Sequence, residues 1–168
     1  MIHVCSLARL HDTVEETGAR HIVTFIRESS LVQRPSRIAF GNHLLIAVDD
    51  ISAPREGHTV PAAEHVEALI RFVREWDRTT PLVIHCFAGI SRSTAGAFVA
   101  VCALNPERDE LEIAQALRNA SPTATPNARI VEIGDQLLGR DGRMRAAIEA
   151  IGRGAEAVEA YPFRLAIR

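Results

Sequence analysis

The 168 residues of the chain are enough for one domain with a sizeable core, and a content of 47% hydrophobic and 24% charged residues is typical of a globular protein. The formal net charge of −2 gives no strong field, so we expect neither a nucleic acid nor a membrane surface as partner. No apolar run approaches the roughly 18 residues of a membrane span, and the N-terminus has no signal-peptide pattern.

The cysteines are Cys5, Cys86 and Cys102, a set too small and uneven to indicate a disulfide framework. We therefore expect a reducing compartment and a cytoplasmic location. Cys102 is expected in the core, and Cys5 could pair with Cys86 only if the sheet brings their strand ends together. The chain lacks the usual zinc and nucleotide motifs, so no metal and no cofactor are expected.

Strand and helix patterns alternate in the first half of the chain. They predict strands at residues 2–5, 20–26 and 44–48 and helices at residues 6–17 and 59–77. The strand at 44–48 is expected to be buried, and Thr59 is expected to cap the helix at 59–77. Gly41 and Asn42, which separate residues 38–40 from 43–48, are a hairpin signal.

The second half of the chain has mainly helical patterns, from residue 93 to about 104, around 111–117, from 126 to 138 and over 141–151. This order predicts an α/β fold in which a central, mostly parallel sheet of four to five strands is flanked by helices, with a helical C-terminal half. We expect one domain over residues 1–152, with the tail at 153–168 packed on it.

The stretch at residues 81–95 predicts a strand, a tight turn and a helix. The run from Leu82 to Ile84 is apolar, residues 86–92 form a short loop with Gly89 at its middle, and a helix of small apolar residues begins at Ser93. Such an arrangement places a thiol and backbone N–H groups at the positive end of a helix, which binds oxyanions and favours a thiolate.

The nine residues from His85 to Ser93 fit the pattern H-C-x-x-G-x-x-R-S. The string resembles the signature loop of the cysteine-dependent protein tyrosine and dual-specificity phosphatases, and it lies between a strand and a helix, as that motif requires. The resemblance implies a phosphatase-like α/β fold. It also implies hydrolysis of phosphomonoesters through a phosphocysteine intermediate, on phosphotyrosine or other phosphoprotein residues.

The resemblance assigns a role to each fixed position of the loop. Cys86 is the nucleophile, and Arg92 offers a planar fork to two phosphate oxygens. Ser93 donates its hydroxyl to the thiolate, and His85 orients the loop. A purely structural thiol would not require these neighbours together. The predicted substrate-binding residues are those of the loop: Phe87, Ala88, Gly89, Ile90, Ser91 and Arg92.

A proton donor for the leaving group is expected on a loop upstream of the cysteine. The family pattern of alternating apolar residues before an aspartate favours Asp50 as the general acid and leaves Asp49 as the second choice. Both could instead be a solvated loop edge. Pro126-Asn127 resembles a downstream Pro-Asn pair of dual-specificity phosphatases, in which the Asn supports the loop, although Asn127 is also an ordinary residue for a helix start.

Two other functions stay open. One is an inositol-phosphate or phosphoinositide phosphatase of the same superfamily, which the lack of Lys or Arg at Phe87, Ala88 and Ile90 disfavours. The other is a non-catalytic phosphate-binding module, which would keep the loop and lose the acid. The expected partner is a phosphorylated protein or a small phosphomonoester substrate.

Overall fold

Five strands and six α-helices make up the chain, and the computed structural model describes all 168 residues. The strands are β1 (Ile2–Ser6), β2 (His21–Ile26), β3 (His43–Ala47), β4 (Leu82–Cys86) and β5 (Phe163–Leu165). The helices are α1 (Leu10–Thr17), α2 (Ala63–Glu75), α3 (Arg92–Leu104), α4 (Glu110–Ala120), α5 (Ala128–Leu137) and α6 (Arg143–Ile151).

The strands form one sheet in the order β3-β2-β4-β1-β5. The first four are parallel to one another, and β5, from the C-terminal tail, lies antiparallel to β1. Helices account for most of the chain after β4. The predicted α/β fold, with a mostly parallel sheet and a helical C-terminal half, is therefore confirmed.

Helices cover both faces of the sheet, as uninterrupted apolar strands require. The helix α1 packs on β1 and β4, and the helices α2 to α6 lie on the opposite face. The helix α3 is buried along nearly its whole length, which its small residues permit. A Cβ at Gly96 would lie 2.5 Å from the Phe25 ring, so this glycine lets α3 approach β2 closely. None of the helices combines the length and apolar character that crossing a membrane needs.

The predicted hairpin at Gly41 and Asn42 is wrong. These residues belong to a short 3-10 turn, Phe40–Asn42, and β3 pairs with β2 in parallel, which a tight hairpin cannot connect. The prediction that β3 is wholly buried is also wrong, because β3 is an edge strand and 55% of Leu45 is exposed.

The helix predicted from Thr59 begins later, at Ala63. The N–H of Thr59 instead donates to Oδ2 of Asp49 at 2.8 Å, so Thr59 helps to close the preceding loop. The side chain of His65 accepts a hydrogen bond from the N–H of Ala62 at 3.0 Å and thereby pairs a free donor at the start of α2.

The carboxyl ends of the parallel strands meet at one edge of the sheet, where open α/β sheets bind ligands. The loop Cys86–Arg92 follows β4, and the loop that contains Asp49 and Asp50 follows β3. The tail also reaches this edge, because the N–H of Ala160 donates to the carbonyl of Ala88 at 2.9 Å.

Candidate active site

The thiol of Cys86 lies at the end of β4 and is almost fully buried, with 2% of the residue exposed. Its Sγ is 3.1 Å from Oγ of Ser93 and accepts a hydrogen bond from the N–H of Gly89 at 3.3 Å. The helix α3 begins at Arg92, so the sulfur lies close to a helix N-terminus. Hydrogen-bond donors and the positive end of a helix both stabilise negative charge on a sulfur atom.

Gly89 gives the loop its curl and its place beside β1. Its φ is +74°, in the left-handed region that residues with a Cβ adopt only with strain. A Cβ here would also lie 2.9 Å from the backbone nitrogen of Ser6 and from the carbonyl carbon of Cys5. Only glycine therefore fits between the loop and the end of β1.

The Arg92 side chain is buried and only partly paired. Its Nη1 donates to the carbonyl of Val48 at 2.9 Å, which fixes the guanidinium between the loop and the end of β3. Its Nε is buried and has no hydrogen-bond partner. A buried N–H without a partner is uncommon, and a bound oxyanion would satisfy it with a charge-assisted hydrogen bond.

The side chain of Asp50 is hydrogen-bonded to the signature loop. Its Oδ1 accepts hydrogen bonds from Oγ of Ser91 at 2.7 Å and from Nδ2 of Asn127 at 2.9 Å, while Oδ2 has no partner. Asn127 also donates to the carbonyl of Ile51 at 3.2 Å and caps α5 with its side-chain oxygen. These contacts hold a carboxylate beside the loop with one oxygen free.

The carboxylate of Asp49 makes its contacts away from the signature loop. Its Oδ2 accepts the N–H of Thr59, and its Oδ1 is 3.5 Å from Nε of Arg27. Its side chain is only 15% exposed. Asp49 thus closes its own loop, and it makes no hydrogen bond with the signature loop.

The sequence analysis missed a chain of hydrogen-bonded polar side chains behind the loop, in which Thr24 and His85 are buried and His43 is half-buried. The hydroxyl of Thr24 lies 2.7 Å from Nε2 of His85 and 2.9 Å from Nε2 of His43. Burial lowers the pKa of His85 from 6.5 to about 4, so this imidazole is neutral at physiological pH. A polar Thr24 in the middle of an apolar strand was the signal that could have revealed the chain.

We predict that Thr24→Val lowers the free energy of unfolding by about 1–3 kcal/mol, because it leaves the buried Nε2 of His85 without a partner. We also expect slower alkylation of Cys86 by iodoacetamide at a fixed pH, since His85 loses the contact that orients it. Thr24→Ser keeps the hydroxyl and should restore both properties. A lower stability with an unchanged alkylation rate would limit the chain to a role in folding.

The other two cysteines are unsuited to nucleophilic chemistry. Burial raises the pKa of the Cys5 thiol to about 12, and it raises that of Cys102 to about 12 as well. All three cysteines are free. Cys5 is level with His85 in the sheet, so it points to the opposite face from Cys86 and no disulfide joins them.

A cleft with a volume of about 610 Å³ opens beside Asp50 and Ser91. Ile90 and Thr125 also line it, and so does the tail segment at residues 153–158. Phe87 stands at the surface with 67% exposure. No group of histidine, cysteine and carboxylate side chains is arranged to hold a metal ion. The sequence analysis placed the tail on the domain without foreseeing that it would line this cleft.

Comparisons with known proteins agree with this picture. Residues 55–125 match the family model described as protein-tyrosine phosphatase, whereas no curated protein matches the chain by sequence. The structure of DUSP15 is similar, with a TM-score of 0.66 and 22% identity over 93% of this chain and 94% of that one. A PTPMT1 structure in complex with PI(5)P has a TM-score of 0.63 and 13% identity, over 90% of this chain and 94% of that one.

A third similar structure is the Cydia pomonella PTP-2 phosphatase, with a TM-score of 0.63 and 19% identity over 80% of this chain and 84% of that one. At these identities the likeness is one of fold. The resemblance that the signature loop indicated is confirmed by the family match and by this shared fold. Residues 55–125 thus match the protein-tyrosine phosphatase family model, and the chain as a whole shares the fold of solved tyrosine and dual-specificity phosphatases.

Proposed function

We propose that the chain hydrolyses phosphomonoesters through a phosphocysteine intermediate and that its substrates carry phosphotyrosine or other phosphorylated protein residues. The observation that carries the proposal is the loop itself. It places the Cys86 sulfur beside Ser93 and Gly89, next to a buried Arg92 whose Nε lacks a partner. This is a cradle for an oxyanion with a nucleophile at its base.

In the first step, the Cys86 thiolate attacks phosphorus, a P–S bond forms and the P–O bond to the leaving group breaks. Arg92 and the backbone N–H groups of the loop bind the equatorial oxygens, where charge accumulates in the transition state. Asp50 gives its proton to the leaving oxygen. The free Oδ2 of Asp50 supports this role, because Oδ1 is already held by Ser91 and Asn127.

In the second step, water attacks the phosphocysteine. The Asp50 carboxylate takes a proton from this water, the P–O bond forms and the P–S bond breaks. The Ser93 hydroxyl, 3.1 Å from the sulfur, donates to the departing thiolate. His85 is held by Thr24 and keeps the loop in its reactive shape.

The charge around the cleft favours a phosphoprotein over an inositol polyphosphate. Asp50, Glu156 and Arg153 are its charged lining residues, so the lining is not strongly basic. The structure of PTPMT1 with PI(5)P shares the fold, and a phosphoinositide substrate is therefore the second candidate. A thiolate nucleophile suits a reducing compartment such as the cytoplasm, which we propose as the location.

A substrate panel tests the proposal. We expect the highest kcat/KM for a phosphotyrosyl peptide, a lower value for the phosphoseryl peptide of the same sequence, and the lowest for inositol polyphosphates and dispersed phosphatidylinositol phosphates. Phosphate release is measured in parallel with Cys86→Ser, which controls for contaminating phosphatases. A preference for the inositol compounds would establish the second candidate. Binding of phosphopeptide without any release would instead indicate a binding module.

A further inference from the structure

We propose that the tail segment at residues 153–158 is a substrate-binding site and that Arg153 there pairs with an acidic residue beside the phosphorylated residue of a peptide. The inference rests on the proposed function and names the sequence class of its substrates. Neither the family match, which ends at residue 125, nor the signature loop assigns a role to this segment.

The position of Asp50 indicates where the substrate must lie. A general acid has to reach the leaving oxygen, so the body of the substrate lies on the side of the loop where Asp50 stands. The cleft that Asp50 and Ser91 line is on that side, and residues 153–158 form another part of its wall. A peptide whose phosphate occupies the signature loop therefore meets the tail.

The wall is anchored at both ends. At one end, the N–H of Gly154 donates to Oγ1 of Thr125 at 3.2 Å, and a Cβ at Gly154 would lie 2.6 Å from the carbonyl oxygen of Ala124. At the other end, Oγ of Ser6 donates to Oε1 of Glu159 at 2.6 Å. The hydrogen bond between Ala160 and the loop follows directly. A surface held in this way is ordered before the substrate arrives, which lowers the entropic cost of binding.

Between these anchors the main chain is unpaired. The backbone groups of residues 156–158 neither donate nor accept a hydrogen bond within the protein. A peptide main chain can pair with such groups, as peptides do at exposed strand edges. An inositol ring has no repeating amide groups to match them.

The charge of Arg153 indicates which kind of residue lies beside the phosphorylated residue of the peptide. Arg153 is the only basic side chain that lines the cleft, and its one partner is Glu156, with 3.7 Å between Nη2 and Oε1. Both side chains are largely exposed, at 76% and 88%, so this ion pair is weak and can exchange. A single carboxylate of the substrate can replace Glu156 on Arg153. The several phosphates of an inositol polyphosphate would meet Asp50 and Glu156 with too few cations.

The experiment compares phosphotyrosyl peptides that differ only in Asp, Ala or Arg next to the phosphotyrosine, with each side tested separately. Each kcat/KM is divided by that of p-nitrophenyl phosphate with the same variant, which cancels differences in the amount of folded enzyme. On one side of the phosphotyrosine we expect wild type to prefer Asp over Ala by about two- to fivefold, the range of an exposed ion pair. The preference should shrink at about 1 M salt.

Arg153→Glu should invert the order and favour the Arg peptide, and Glu156→Gln should strengthen the preference for Asp. The matched control is Arg108→Glu, which makes the same charge change beyond the C-terminal end of α3, at the far end of that helix from the loop. It should keep the wild-type order. If Arg153→Glu also keeps that order, or if wild type does not distinguish the peptides, the subsite is refuted while the proposed function stands. If neither the phosphotyrosyl peptides nor the phosphoseryl peptides of the same sequences are hydrolysed, the proposed function fails and the subsite with it.

Discussion

Cys86→Ser is expected to reduce phosphate release on the order of 10⁴-fold or more, the scale at which loss of the nucleophile disables other hydrolases. A serine hydroxyl is a weak nucleophile unless a neighbouring base activates it. The groups that contact the sulfur are the Ser93 hydroxyl and the backbone N–H of Gly89, and neither is a base that could take the proton of a serine hydroxyl. The variant keeps the size of the side chain and should still bind phosphorylated substrates, so the loss appears in kcat.

The measurement is p-nitrophenol release together with mass spectrometry of acid-quenched protein. Wild type should carry one phosphoryl group on the peptide that contains Cys86, and the serine variant should carry none. Cys102→Ala is the matched control, because that thiol is buried in the core and its pKa is raised to about 12. It should keep most of the wild-type turnover. Turnover that survives in Cys86→Ser would refute the phosphocysteine mechanism.

The sequence predicted the place of the signature loop between β4 and α3 because the motif is local. A thiol, a glycine and an arginine at fixed spacing form one turn between a strand and a helix, and no distant residue is needed to recognise it. The sequence also predicted Asp50 as the favoured acid, and the structure places its carboxylate against Ser91 and Asn127. Its catalytic role stays a prediction until the variants are measured.

The errors in the sequence analysis come from competition between local and long-range contacts. Gly41 and Asn42 carry a turn signal, but the strand that follows finds its partner in β2 and pairs in parallel. Thr59 is a good cap residue, yet its backbone N–H and carbonyl both pair with Asp49, and α2 begins only at Ala63. In both cases a tertiary contact overrides a local preference.

Local patterns placed the tail on the domain but could not show that it reaches the signature loop. The hydrogen bond from Ala160 to Ala88 joins residues far apart in sequence, and so does that from Ser6 to Glu159. The tail reaches the loop because β5 adds to the edge of the sheet next to β1. This position follows from the order of the strands in the sheet, which no local motif encodes.

The largest effect on the proton transfer is expected for Asp50→Asn. Loss of a general acid costs about 10²- to 10⁴-fold in rate, and the cost depends on how much the leaving group needs the proton. We therefore expect a large loss of kcat with a phosphotyrosyl peptide or phenyl phosphate and a much smaller one with p-nitrophenyl phosphate, whose phenolate leaves without help.

Asp49→Asn is the matched comparison, since it makes the same change one residue away on a carboxylate that pairs with Thr59 and Arg27. Its effect should be a modest rate loss that is equal for good and poor leaving groups, because the loop is loosened while the proton donor remains. The assignment of Asp50 would be overturned if the dependence on the leaving group appeared in Asp49→Asn instead. If it appeared in neither variant, the proton would have to come from a group outside this loop. The comparison separates a carboxylate that donates a proton from one that closes a loop. The spacing of Asp49 and Asp50 along the chain could not make this distinction. Their different hydrogen-bond partners now make it testable.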